Sequence, residues 1–234
     1  MDAILKLKQK PYRGMAMEGL IANWYNRNTG RTLRRFEAIA RVIADAVPPG
    51  GRVLEVAPGP GFLAIQIAKG GRHQVTGLDI SRSFVRIASE NAARAGVEID
   101  FRHGDAAQMP FPDACFDHVV CMAAFKNFSD PVGALNEIHR VLKPAGTASI
   151  YDLRKDASLH DIDQEVQGMN LSPLNAAFTR WTFRVLLLRT AYREEALRRM
   201  AAQSRFGSCE IVEQGISFEM RLRRGQNGHS APAL

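Results

Sequence analysis

The stretch Val53-Leu54-Glu55-Val56-Ala57-Pro58-Gly59-Pro60-Gly61-Phe62-Leu63-Ala64 constrains this chain more than any other part of it. A short apolar run suited to a buried parallel strand ends in a Pro/Gly turn, and helical periodicity follows at once. One carboxylate, Glu55, stands at the strand's tip. Glycine at 59 and 61 permits sterically restricted dihedrals and lets a ligand approach where a Cβ would collide. This arrangement reads as a nucleoside-cofactor site. The spacing Gly59-x-Gly61-x-x-Ala64, with Asp79 about 20 residues on, also satisfies the dinucleotide fingerprint. An NAD(P)-dependent oxidoreductase is therefore one reading of the turn.

Three features favour a ligand without phosphates. Pro58 and Pro60 have no backbone N–H, so the turn lacks two donors that a pyrophosphate cradle would use. Glu55 would repel a phosphate but can accept from an ammonium or a hydroxyl. A third strand-like run, Glu98 to His103, ends in Gly104-Asp105-Ala106 and brings another acceptor toward the same cleft. Asp79 offers two oxygens that match the vicinal hydroxyls of a ribose, and Asp105 can accept from an exocyclic amine. Together they suggest an adenosine. Asp105 as the cap of the following turn and Glu55 as a brace of its own loop are the structural alternatives.

The chain has 234 residues, 46% hydrophobic and 24% charged, which is ordinary globular composition. No apolar run approaches the roughly 20 residues needed to span a bilayer, and the N-terminal segment lacks a signal-peptide core. A cytoplasmic location is expected, with no membrane partner. Cys115, Cys121 and Cys209 fit neither metal-ligand nor C-x-x-C spacing, so no metal is expected. A net charge of +7 permits an acidic partner. The arginines are dispersed, however, and no aromatic-interleaved basic segment suited to stacking bases is present, so nucleic acid is not the expected substrate.

Helical periodicity runs over 15–25 and 31–46, and Pro48-Pro49-Gly50-Gly51 punctuates the entry to the first strand. Then follow a helix 62–69, a strand 74–79, a helix 83–95 capped by Ser81, strands 98–103 and 118–122, a helix 131–142 and a strand 147–153. This alternation predicts a parallel sheet with right-handed crossovers. A mixed stretch over 158–191, broken at Ser172-Pro173, reads as a helical insertion. A helix 192–204 and two strands joined at Gly215 complete the pattern. The expected divisions are an N-terminal helical cap 1–48, a cofactor-binding core 49–156, a substrate-lid insertion 157–191, a terminal helix and strand pair 192–224, and a flexible tail 225–234.

Residues 51–155 resemble the class I S-adenosylmethionine (SAM) dependent methyltransferases, in particular the ubiquinone/menaquinone group. The resemblance rests on the glycine-rich turn, Asp79 in Val75-Thr76-Gly77-Leu78-Asp79-Ile80, and Gly104-Asp105-Ala106. It continues through Phe116-Asp117-His118-Val119-Val120-Cys121-Met122 and Glu137-Ile138-His139-Arg140-Val141-Leu142-Lys143-Pro144-Ala145-Gly146. Two departures stand out. Ala57 replaces the usual first loop glycine, and Phe125-Lys126-Asn127-Phe128 stands where many relatives carry a histidine.

The resemblance implies an α/β, Rossmann-like, seven-stranded, mainly parallel sheet with helices on both faces. It also implies SAM as cofactor, a small-molecule substrate and a monomer or homodimer. The cofactor would be held by Glu55, Ala57, Pro58, Gly59, Gly61, Asp79, Ile80, Gly104, Asp105, Ala106 and Ala123. Ile80 and Met109 could sandwich the purine, although core packing explains each equally well.

Methyl transfer from a sulfonium is an in-line displacement, accelerated mainly by alignment and exclusion of water. The sequence offers no obvious general base, because His103, His118 and His139 all read as structural or solvated. Tyr12 and Tyr25, with Trp24, could close over the sulfonium by cation–π attraction or simply pack the cap. Asn127 could orient a substrate group and Lys126 balance an anion beside Phe125. Asp152 and Arg154 could face the pocket, and Trp181 and Phe183 could roof it.

One further chemistry remains, and one false signal is discarded. The same fold could direct attack on the aminobutyryl chain of SAM, releasing methylthioadenosine. Tyr151-x-x-x-Lys155 matches the spacing of a short-chain dehydrogenase pair. On a strand, however, four residues separate the two side chains by roughly 13 Å.

Overall fold

The computed structural model of the chain describes residues 19, 22, 33–169 and 171–226. Its seven strands are β1 Arg52–Val56, β2 Gln74–Asp79, β3 Asp100–His103, β4 Phe116–Met122, β5 Leu142–Leu153, β6 Glu210–Gln214 and β7 Ser217–Arg223. They form one sheet in the order β3-β2-β1-β4-β5-β7-β6. The first five are parallel to one another, and β7 runs antiparallel to both β5 and β6. The order reverses between β1 and β4, which opens a crevice beyond the carboxyl ends of those strands.

The helices are α1 Leu33–Ala46, α2 Phe62–Lys69, α3 Arg82–Arg94, α4 Pro131–Val141, α5 Leu159–Gly168, α6 Pro173–Thr182 and α7 Glu194–Gln203. Alternate residues of each strand serve opposite cores. Leu54, Val56, Val119, Cys121, Ile150 and Met220 pack with Leu135 and Ile138 of α4 and Leu197 and Met200 of α7. Val53, Val75 and Val120 pack on the other face with Ala40 and Ile43 of α1 and Leu63 and Ile67 of α2. Burial on both faces explains why β1 and β4 read as continuous apolar runs.

Some boundaries differ from the sequence expectation. β5 begins at Leu142, because Leu142 pairs with Phe116 across a bulge before the regular register resumes at His118–Thr147. That pairing ends α4 one residue early and starts β4 two residues early. Ser81 accepts from the Phe84 amide at 3.1 Å, which is the N-cap expected of it. A capping box between Ser158 and Asp161 starts α5. After α6 the chain continues through a π-helical turn, Phe183–Leu187.

Of the N-terminal segment, Gly19 donates its amide to Ser83 Oγ at 3.0 Å, and Ala22 is buried against Phe84 and Ile87 of α3. Tyr12, Trp24 and Tyr25 lie outside the described residues. Among the described residues no helix is long and apolar enough to cross a membrane, and no group of His, Cys, Asp and Glu could hold a metal ion.

Candidate cofactor site

Asp79 is the hub of the strand-end crevice. Its Oδ2 accepts from the Gly59 amide at 3.0 Å and its Oδ1 from the Ser81 amide at 2.8 Å, while its carbonyl accepts from the Gly104 amide at 2.9 Å. One residue at the end of β2 thus joins the turns after β1, β2 and β3. Each carboxylate oxygen can accept more than one hydrogen bond, so the bracing is compatible with a ribose role.

The glycine turn itself is held in left-handed backbone, with φ +54 at Gly59 and +80 at Gly61. Gly61 is required twice over: a Cβ there would come within 2.9 Å of the Phe101 ring and 3.0 Å of the Ala88 Cβ. Gly59 is different, because no atom of the described residues lies within 4 Å of the position its Cβ would take. Among the described residues the space directly above the turn is therefore open. Pro58 and Gly61 are buried, whereas Ala57 and Gly59 are partly exposed, as are Ile80, Gly104, Asp105 and Ala106 on the neighbouring turns.

Ala57 and Ala123 follow β1 and β4 and share an unusual conformation, φ 56 and φ 57. Each donates its amide to the strand beside it, Ala57 to the Leu78 carbonyl and Ala123 to the Tyr151 carbonyl, both at 2.7 Å. Left-handed backbone at a residue bearing a Cβ costs about 1 to 2 kcal/mol, and such strain collects at ligand sites. Ala57 therefore keeps the geometry that the usual glycine would supply.

Glu55 is buried, and its Oε2 accepts from the Ala64 amide at 2.8 Å. Burial pushes its pKa up to about 8; the Ala64 hydrogen bond opposes this, and the nearby Asp79 adds to it. Asp105 accepts from the Ala107 amide at 2.9 Å through Oδ1 and so braces its own turn. Met109 packs in the main core. Of its two readings, core packing is the one this placement matches.

Several substrate-side expectations are also corrected. Phe125 is fully buried and packs edge-on against Phe128 and near Tyr192, so its ring belongs to the core. The Lys126 Nζ lies 2.7 Å from Asp152 Oδ1, so these two groups neutralise each other instead of meeting a ligand. Arg154 pairs with Asp156 at 3.0 Å and with Glu213 of β6 at 2.6 Å. Asn127 is partly exposed in the 3-10 turn Phe125–Asn127 after β4, where it remains a candidate. Trp181 is exposed on α6, while Phe183 is buried against Ile162 and Val166.

His118 and His139 are held by partners within the fold. His118 is buried against Thr147 Oγ1 at 2.9 Å and His139 stands edge-on to Phe206; burial lowers each pKa to about 4.

Glu137 and Arg140 were missed as site-forming residues. Glu137 accepts from the Met109 amide at 2.8 Å and holds Arg140, whose guanidinium donates to the Met109 carbonyl at 3.0 Å and the Phe111 carbonyl at 2.8 Å. This pair clamps the loop that follows Asp105. Its only local signal is the three-residue spacing of opposite charges on a helix.

A family described as a methyltransferase domain matches residues 54–150. The match spans β1 to β5 of the sheet. The chain is 37% identical over 117 residues to the 2-phytyl-1,4-naphtoquinone methyltransferase of Synechococcus elongatus, covering 48% of this chain and 50% of that one. It is 36% identical over 108 residues to the demethylmenaquinone methyltransferase of Deinococcus radiodurans, covering 46% and 45%. The chain thus spans about half the length of the curated relatives it matches.

In three dimensions it is similar to a putative SAM-dependent methyltransferase of Methanococcus maripaludis, with TM-score 0.71, 21% identity and coverage of 94% and 97%. It also resembles the 4+2 cyclase SpnF, with TM-score 0.60, 21% identity and coverage of 81% and 80%. The crevice is one that SAM would fit. Its carboxylates suit an ammonium and hydroxyls, and the space above Gly59 admits a ligand at backbone distance.

Proposed function

We propose that this protein transfers a methyl group from SAM to a small organic acceptor by in-line displacement. The observation that carries this reading is the set of three carboxylates, Glu55, Asp79 and Asp105, placed after or at the ends of β1, β2 and β3 around open space above Gly59. When bound, SAM supplies an electrophilic methyl on a sulfonium. In this reading Glu55 holds the ammonium of the methionine end, Asp79 the ribose hydroxyls and Asp105 the adenine amine. Gly59 and Ala57 let the backbone lie flush with the ligand.

On the acceptor side Asn127 stands beyond β4 to orient a polar group, and the cap 1–48 and insertion 157–191 exclude water. Tyr12 and Tyr25 belong to that cap. The named relatives act on a phytyl naphthoquinone and on demethylmenaquinone, which supports an aromatic acceptor of the quinol type. A specialised aromatic metabolite is the other member of that class, and the cytoplasm is the expected compartment.

The deciding experiment incubates the protein with SAM and a reduced demethylmenaquinone analogue and follows the sulfur-containing product. S-adenosylhomocysteine with a methylated quinol supports the reading. Methylthioadenosine would mean attack on the aminobutyryl chain instead. Binding of NAD(P)H in preference to SAM by calorimetry would remove the assignment altogether.

A further inference from the structure

Four large apolar side chains lie exposed on one side of the helix that begins at Pro173. Leu174 is 85% exposed, Phe178 66%, Trp181 51% and Val185 44%. The spacing i, i+4 and i+7 places Leu174, Phe178 and Trp181 in a single stripe of α6, and Val185, in the π-helical turn that follows, lines the same groove as Trp181. The opposite side is already used: Ala176 and Phe183 pack on Ile162, Val166 and Ile216. The exposed stripe is therefore additional to the face that holds the helix in the fold, and Phe178 and Trp181 stack with centroids 6.0 Å apart along it. A contiguous apolar surface of this kind marks a site of association.

Charge identifies the partner. From Val166 to Arg193 the sequence has no Asp or Glu but has Arg180, Arg184, Arg189 and Arg193. Ala177, Arg180, Trp181, Arg184 and Val185 line one shallow groove, so two guanidinium groups flank the apolar stripe. Arg180 also pairs with Asp163 of α5 at 2.6 Å, which fixes the helix to its neighbour. A helix with Leu, Phe and Trp on one face and arginines at its border suits the boundary between lipid headgroups and acyl chains. A second copy of the chain fits less well, because a two-fold contact through this stripe would bring Arg180 and Arg184 of one protomer toward those of the other.

We infer that α6 and the turn after it form a docking face for an anionic lipid bilayer, on which the protein lies without spanning it. This departs from the expectation that the chain has no membrane partner, an expectation that rested on the lack of a spanning segment. The apolar stripe enters the interface while Arg184 at its border meets phosphate, with Arg180 held by Asp163.

The test sediments the full chain with vesicles of phosphatidylcholine alone and with vesicles containing about 30% phosphatidylglycerol. Binding to the anionic vesicles is expected, weakened by added salt. The Leu174→Glu/Phe178→Glu variant should partition roughly tenfold less or weaker still, with an unchanged melting temperature because both side chains are exposed. Failure to sediment with either vesicle overturns the inference, and equal binding to both overturns the anionic assignment. A concentration-dependent dimer that the double variant dissociates, in a chain that ignores vesicles, would assign the stripe to a second copy. Protection of Trp181 from acrylamide quenching by SAM alone, again without vesicle binding, would make the stripe a lid over the protein's own site.

Discussion

Lys126 and Asp152 form a buried ion pair, Nζ to Oδ1 2.7 Å, that ties the turn after β4 to the end of β5. Asp152 also accepts from the amides of Lys126 at 2.9 Å and Leu153 at 2.8 Å, and Lys126 Nζ donates to the Ala123 carbonyl at 3.0 Å. Removing one partner leaves an unpaired buried charge, so Asp152→Ala should cost about 3 to 5 kcal/mol. Urea denaturation measures this. Adding Lys126→Met to Asp152→Ala should restore part of the loss; a single variant within 1 kcal/mol of wild type, by the same order-of-magnitude standard, would deny the pair its role.

Asp79 braces the Gly59 and Ser81 amides, so Asp79→Ala should remove measurable SAM binding and also lower stability by about 1 to 3 kcal/mol. Calorimetry and thermal melting read the two parts. Asp105→Ala, which loosens only its own turn, should weaken SAM by roughly 1 to 2 kcal/mol. Unchanged affinity would leave Asp105 with the turn alone.

The Glu55 carboxyl, with its pKa pushed up to about 8 by burial, is favoured neutral in the fold relative to its ordinary value of 4.5. Its contribution to stability is therefore complete below about pH 4.5 and is lost as pH rises through about 8. An ammonium beside it reverses the preference. SAM binding near neutral pH should release a proton, and affinity should rise toward about pH 8. Calorimetry in buffers of different ionisation enthalpy detects that proton. Glu55→Gln should abolish the release; proton release that persists in the variant would place its source elsewhere.

Ala57 and Ala123 sit in left-handed backbone at the ends of β1 and β4. Ala57→Gly relieves a strain of about 1 to 2 kcal/mol and loosens the unfolded chain by somewhat less. A small rise in melting temperature is expected. Gly59→Ala introduces the opposite strain without a clash and should lower it. If Ala57→Gly instead lowers the melting temperature, the left-handed conformation is not the one populated.

The sequence by itself was enough to determine the features that depend on near neighbours. The run Val53 to Ala64, the cap at Ser81 and the alternation of strands with helices follow from local burial patterns, backbone donors and glycine dihedrals, and they place the cofactor turn. Only the tertiary structure decided which polar groups face the crevice and which face one another. Lys126 meets Asp152, Arg154 meets Glu213, and Glu137 with Arg140 reaches back to Met109. Phe125 looks like a pocket residue in the sequence because it follows a strand end, yet its ring is buried against Phe128 and Tyr192. The reason is physical: such pairings depend on strand order and register, which bring residues distant in the chain to bonding distance, and local periodicity carries no information about either.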